Sequence, residues 1–353
     1  MSASDSTNPS IPGTSTSTST STSSGMATPP KEGLIRVGAV QAEPVWWDLQ
    51  GAVAKTIEII HEAGRKGIQI LGFPEVWLCA CKNANRPLWL TPAYQNPPFI
   101  QQYMQNSMAV DSPEMARIQT ACAEAHIHIV LGYSQRSGAS IYIAQAFISS
   151  TGSLLHNRRK IKPTSVERAL WGDGQADSLL CVVDTPHAKL GALNCWENFQ
   201  PLLRYHEYGL GAQVHVAGWP PFPAHPGSCE VEVAYTMTAS ANRAISQNVA
   251  MEGQCFVLCA TQIIKEENFA RAGVQGKGIF KGDSGGFAMI FGPDGTPLVE
   301  PLGEGEEGIL QADIDLKTID FAKNMCDPVG QYSRPDLLSL NVNMTAAKQV
   351  HYT

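Results

Sequence analysis

Apolar residues in this chain fall into short runs and helical repeats, but only after a long polar lead. Residues 14–24 are almost entirely Ser and Thr, and Pro29-Pro30 follow. With no apolar surface to bury, residues 1–33 are expected to form a disordered tail. The pattern changes at Leu34. Residues 34–42 form a largely apolar, β-branched run and predict a strand. Val53, Ile57, Ile60 and Ala63 then recur at helical spacing, with Asp48 as the cap and Gly67 as the stop. Residues 68–73 read as a buried strand that ends directly before Glu75. Residues 113–125 predict a helix with Ser112 as cap and a proline in its first turn. Strands are predicted over 127–133, 141–149 and 154–161, the last two joined at Thr151-Gly152. Further strands are predicted over 180–183, 190–194, 214–217, 256–260, 287–291 and 309–314. Helices are predicted over 201–208 and 231–251, and Pro293-Asp294-Gly295 marks a turn. Alternating strands and helices with hairpins between them mean an α/β fold with a mixed sheet. No linker interrupts residues 34–340, which are read as one domain, with 341–353 as a C-terminal tail.

Composition narrows the picture. The chain has 353 residues, 43% of them hydrophobic and 16% charged, so a large core is within reach. A net charge of −7 gives no sign of a nucleic-acid partner or an anionic membrane surface. No apolar run approaches the roughly 20 residues needed to span a bilayer. The nine cysteines are odd in number, and no secretory-type leader stands before them, so they are read as thiols in a reducing, cytoplasmic setting. Cys79/Cys81 and Cys255/Cys259 lack zinc-site spacing, and no metal site is expected.

The chemistry lies at strand ends. Cys195 ends the apolar run 190–194, where an open α/β sheet presents reactive groups. A thiol attacks as its thiolate and needs a base or a lowered pKa. No histidine adjoins it; His187, His206 and His215 are the nearest in sequence. Glu75, set between an apolar strand and Val76-Trp77, is a carboxylate that burial would turn into a base. Lys160 ends a predicted strand and suits stabilisation of developing negative charge. Each residue also has an ordinary reading: core packing for Cys195, a turn for Glu75, a solvated charge run with Arg158, Arg159 and Lys162 for Lys160.

Taken in order, the three segments resemble the nitrilase superfamily and are most similar to its nitrilase branch. The resemblance is carried by Phe73-Pro74-Glu75, by Arg159-Lys160-Ile161-Lys162-Pro163-Thr164 with Trp171-Gly172-Asp173-Gly174, and by Asn194-Cys195-Trp196-Glu197-Asn198. Tyr332-Ser333-Arg334-Pro335-Asp336-Leu337 resembles the branch's C-terminal end, so the likeness runs from about residue 35 to 340. It implies a four-layer α-β-β-α sandwich with two mixed β-sheets. It also implies Glu75 as general base, Lys160 as stabiliser of the tetrahedral species, Cys195 as nucleophile, and Glu167 as the glutamate that orients the lysine. No metal or organic cofactor is implied, and self-association into dimers or spiral filaments is. Glu167 also has a simpler reading, as an ion-pair partner of Arg168 or Lys162. Trp196 either lines the pocket or packs beside it, and Trp219, before Pro220-Pro221, belongs to the pocket rim or to the framework. Both are kept as substrate-binding candidates.

Two places depart from the branch's pattern. Ser165 stands where a histidine is usual. Residues 78–90 replace a Gly-, Pro- and aromatic-rich stretch, and the likeness resumes near Thr91. This segment is read either as a pocket variant or as a mis-spliced joint, the second preferred, which would misplace Glu75. The function implied is hydrolysis of an organic nitrile, aromatic or arylacetonitrile, to a carboxylic acid and ammonia. The alternatives are a cyanide hydratase or amidase of the same superfamily, and a catalytically impaired relative serving as an assembly or binding protein.

Overall fold

The computed structural model describes residues 30–78, 97–347 and 350. The Ser/Thr-rich lead up to residue 29, and residues 79–90 of the departing segment with the rest of 79–96, lie outside the described residues. The chain begins with β1 (Ile35–Ala42), α1 (Leu49–Arg65), β2 (Ile70–Gly72), α2 (Pro97–Asn106), β3 (Met108–Ala109) and α3 (Pro113–Ala125). Next come β4 (His128–Ser137), β5 (Ser140–Ile148), β6 (Leu154–Arg159), β7 (Val182–Asp184), β8 (Lys189–Asn194) and α4 (Pro201–Leu210). The remainder is β9 (Val214–Trp219), α5 (Ala239–Gly253), β10 (Phe256–Gln262), α6 (Phe269–Ala272), β11 (Met289–Phe291), β12 (Gly308–Ile314) and α7 (Thr318–Cys326).

Hydrogen bonds link the strands in the order β6-β5-β4-β2-β1-β10-β9-β8-β7. The β1/β10 junction is narrow: only Gln41 and Ala42 of β1 pair with β10, at Thr261 and Gln262. Along that same side β12 runs antiparallel to β1 from the Ile35–Ile314 pair to the Gln41–Gly308 pair. The array is therefore two mixed half-sheets hinged at the end of β1. Their inner faces bury Val37, Ala39, Ile70, Val130 and Phe147 against Leu190, Ala192, Val214, Val216 and Leu258. Gly72 allows close approach of the halves, because a Cβ there would lie 2.7 Å from Val216 Cγ1. On one outer face, Val53, Ile60 and Ala63 of α1 and Ile118 and Cys122 of α3 pack with Leu71, Ile129 and Leu131. On the other, Val249 and Ala250 of α5 and Tyr208 of α4 pack with Ala217, Val257 and Cys259. These are the four layers, α-β-β-α, that the family resemblance implies.

Local signals explain most boundaries. Asp48 caps α1 by accepting from Gly51 N at 2.9 Å, and Ser112 caps α3 by accepting from Met115 N at 3.2 Å. The helix predicted over 231–251 is corrected: it begins at Ala239. Thr238, in extended conformation, caps it through Ala241 N. Val231, Tyr235 and Met237 stay largely exposed, so the preceding apolar residues have no face to pack on and do not extend the helix. The helices α2, α6 and α7 have no counterpart among the predicted elements. In α7 only Ile319 is buried, too little apolar periodicity to read. No described helix is long and apolar enough to cross a membrane.

Candidate active site

Glu75 follows β2, Lys160 follows β6 and Cys195 follows β8, and these strands share one direction. β2 and β8 lie in parallel runs. β6 regains the same sense by two antiparallel steps through β5 and β4. Their carboxyl ends open on one edge of the sandwich, where the three side chains converge and are almost fully buried.

The Glu75 segment is clamped by backbone. A Cβ at Gly132 in β4 would lie 2.0 Å from Pro74 O, and one at Gly218 in β9 would lie 3.0 Å from Glu75 N. These glycines leave room for the turn that carries the carboxylate. The Gln262 amide donates to Glu75 O at 2.7 Å and to Val76 O at 3.2 Å. Lys160 Nζ donates to Glu75 Oε1 at 2.8 Å and to Glu167 Oε2 at 2.9 Å. Glu167 is itself held, accepting from Thr164 N at 2.6 Å. It therefore meets Lys160 rather than Arg168 or Lys162.

Cys195 opens a 3₁₀ turn, Cys195–Phe199, with φ of 47°. Val76 (φ 45°) and Ser165 (φ 47°) share the left-handed region. Of the three other non-glycine residues there, His126 and Gln254 end helices and Trp47 directly precedes the cap of α1. Strain thus gathers on the three segments that carry the site. Ser165 is exposed and belongs to the outer wall.

Electrostatics give each group a distinct state. Burial pushes the Glu75 carboxyl up to about 7; Lys160 opposes this, and the negative charge of Glu167 adds to it. Burial, and then the charge on Glu75, raise the Cys195 thiol well above the ordinary cysteine value, with Lys160 acting against them. Burial disfavours the Lys160 ammonium, but Glu75, Cys195 and Glu167 outweigh it and hold its pKa above the usual lysine value. The resting arrangement is a neutral thiol beside a poised carboxylate and a fixed cation. Among the described residues, no group of three or more His, Cys, Asp and Glu side chains is arranged to hold a metal ion.

Sequence reasoning missed Arg158 and Glu197. Arg158 had been weighed only as part of a solvated charge run, yet it is fully buried. Its guanidinium grips Glu197 through two 2.7 Å hydrogen bonds. Glu197 also accepts from Ile161 N at 2.9 Å and Asn194 N at 3.0 Å. This pair ties the end of β6 to the Cys195 turn and so sets Lys160 against the thiol. The period-two alternation of a strand was the available signal, since it places Arg158 and Lys160 on one face and Arg159 on the other.

The tryptophans flank the centre. Trp196 donates to Asn242 Oδ1 at 3.2 Å, and its ring centroid lies 5.6 Å from that of Phe199. Trp219 is fully enclosed, donating to Ser246 Oγ at 3.0 Å and packing with Phe222 and Phe287 in the cluster that includes Cys195. A cavity of about 1100 Å³ adjoins the site, with Ile161, Trp196, Glu197, Phe199 and Leu203 in its wall and residues 340–343 along its rim. Glu75, Lys160 and Cys195 do not line it; Ile161, Trp196 and Glu197 border both it and the buried centre.

Comparison with known proteins identifies the family of the chain. Residues 36–324 match the model of the family described as carbon-nitrogen hydrolase. A nitrilase of Talaromyces marneffei is 52% identical over 317 residues, 90% of this chain and 98% of that protein. An arylacetonitrilase of Aspergillus kawachii is 42% identical over 90% of this chain and 94% of that protein. A cyanide hydratase of Armillaria gallica is 44% identical over 87% of this chain and 85% of that protein. The crystal structure of the C. elegans NitFhit protein shares the fold with a TM-score of 0.66 at 20% identity, covering 92% of this chain and 70% of that one. The chain belongs to the carbon-nitrogen hydrolase family and is an enzyme of its nitrilase branch.

Proposed function

We propose that this enzyme hydrolyses an organic nitrile, an aromatic nitrile or arylacetonitrile, to the carboxylic acid and ammonia through covalent intermediates on Cys195. The observation that carries the reading is the Glu75–Lys160–Glu167 cluster, with Glu75 and Lys160 buried, beside a left-handed cysteine. Glu75 takes the thiol proton as Sγ bonds to the nitrile carbon, and the proton passes to the nitrile nitrogen, giving a thioimidate. Lys160 donates to the nitrogen on which negative charge develops. Glu75 then removes a proton from water as it adds to the same carbon. The nitrogen takes that proton and then the hydroxyl proton of the tetrahedral adduct, the C–N bond breaks as the C=O bond forms, ammonia leaves and a thioester remains. A second water, activated in the same way, adds to the thioester and releases the acid and the free thiol. Glu167 holds Lys160 in place, Trp196 forms the wall on the cysteine side, and the enclosed Trp219 backs it from the cluster that includes Cys195. The arylacetonitrilase and nitrilase relatives support the substrate class. Self-association belongs to the same proposal, supported by exposed Leu202 and Met251 on α4 and α5.

The test is ammonia release from a panel of aliphatic nitriles, benzonitrile, phenylacetonitrile and cyanide, with products identified. Phenylacetic acid plus ammonia is the expected result. Formamide from cyanide, with no acid from phenylacetonitrile, would instead support a cyanide hydratase, an activity carried by the Armillaria gallica relative.

The pH profile gives a second check. Glu75 acts as a base only when ionised, and its carboxyl is raised to about 7. Below that value kcat/KM should fall about tenfold per pH unit. Removing the negative neighbour with Glu167→Gln favours ionised Glu75, so the acid limb should move to lower pH. A wild-type limb at the ordinary glutamate value, or a limb that Glu167→Gln leaves in place, contradicts this assignment.

A further inference from the structure

Behind Cys195 lies a second buried chain of polar groups that the reaction above does not use. The Asn198 amide nitrogen donates to Cys195 O at 2.8 Å and faces Leu193 O at 3.5 Å. Because two carbonyls face that nitrogen, the amide oxygen must point the other way, and it meets His215 Nε2 at 2.9 Å. His215 Nδ1 lies 2.7 Å from Glu207 Oε1. Asn198, Glu207 and His215 are completely buried. Gly191 makes room for the carboxyl, since a Cβ there would lie 2.2 Å from Glu207 Oε1. The other oxygen, Glu207 Oε2, has no hydrogen-bond partner among the described residues.

The proton count along this chain is constrained. Asn198 Oδ1 accepts, so His215 must carry a proton on Nε2. Glu207 Oε1 at 2.7 Å cannot face a bare Nδ1 lone pair as a carboxylate, so a second proton lies between them. The pair is an imidazolium with a carboxylate or an imidazole with a carboxylic acid. Both forms are electrically neutral overall, which suits a site with no water-facing surface. In both, Nε2–H points at Asn198 and fixes the amide's orientation.

We propose that Glu207, His215 and Asn198 are positioning residues for the nucleophile. They hold the Cys195 carbonyl so that the residue keeps its left-handed conformation and aims Sγ at the reacting carbon. Glu207 orders His215, His215 orders Asn198, and Asn198 anchors the strained peptide. Arg204 braces the same turn by donating to Asn198 O at 2.7 Å while paired with Glu252. The inference rests on Cys195 being the nucleophile, as proposed above.

Two substitutions at one position separate positioning from plain core filling. Gln at 215 places a donor where Nε2 stood and keeps the link to Asn198. Asn at 215 keeps the link to Glu207 and loses the one to Asn198. Two readouts on the full chain are compared: ammonia release, and alkylation of Cys195 by iodoacetamide followed by peptide mass spectrometry. His215→Gln should stay within about fivefold of wild type in kcat, whereas His215→Asn should lose about 100-fold with KM nearly unchanged. The alkylation rates should fall in the same ratio. Equal losses in the two variants, or retention by His215→Asn, overturn the proposal. If either variant is insoluble, Asn198→Asp and Glu207→Gln carry the test. Asn198→Asp turns an oxygen onto the Cys195 carbonyl and should reproduce the loss. Glu207→Gln can donate to Nδ1, leaves Nε2–H on Asn198 and should be spared. Equal damage in this second pair also overturns the proposal. If the wild type releases no ammonia from any nitrile while alkylation follows the expected order, the substrate reading fails and the positioning role stands.

Discussion

Cys195→Ala should lower ammonia release by roughly 10⁴–10⁶-fold, the scale on which loss of a catalytic nucleophile is felt. Alanine removes only Sγ from a buried position, and the surrounding turn is held by Arg158–Glu197 and Asn198 rather than by the thiol. The fold should therefore survive, with a melting midpoint within a few degrees of wild type. Residual turnover within tenfold of wild type on the same nitrile would remove Cys195 from the reaction. It would also favour the alternative of a catalytically impaired relative in which other residues give a slow background.

Lys160→Met should cost about 10²–10³-fold in kcat, the range measured when a donor to a developing anion is removed. The substitution keeps the aliphatic length but leaves Glu75 and Glu167 without the cation they share. It also has a signature opposite to that of Glu167→Gln. Lys160 pulls the Glu75 carboxyl down against burial, so its loss should move the acid limb of kcat/KM to higher pH. Opposite displacements at two neighbouring positions identify Glu75 as the titrating base more firmly than either rate alone. An acid limb unmoved in Lys160→Met would mean that the titrating group lies elsewhere.

Much of this site was legible because its residues sit where regular structure ends. The runs before Glu75 and Cys195 are short and apolar, and the run before Lys160 starts from the turn at Thr151-Gly152, so strand ends could be placed within a residue or two. Parallel strands then bring such ends to one edge. Glu167 was legible only as a motif position; a carboxylate two residues from Ser165's left-handed turn has no periodicity to mark it. The support behind the nucleophile was less visible still. Arg158, Glu197, Asn198, Glu207 and His215 look like ordinary surface residues by composition, because a buried polar group is recognised by its partners and not by its type. Arg158 and Glu197 are 39 positions apart, a pairing set by the hinge between half-sheets that no local pattern records. The early start given to α5 had a related cause. Apolar residues at 231–237 suggest a helix face, but no layer lies opposite to bury them.

Trapping the covalent intermediate tests the central claim most directly. The enzyme is mixed with phenylacetonitrile, quenched in acid within the first turnovers, digested and examined by mass spectrometry. The expected result is a thioimidate or acyl adduct on the peptide containing Cys195, absent from Cys195→Ala. An adduct on another residue, or product formed by wild type with no adduct on Cys195 under conditions where the acyl-enzyme should accumulate, would contradict it.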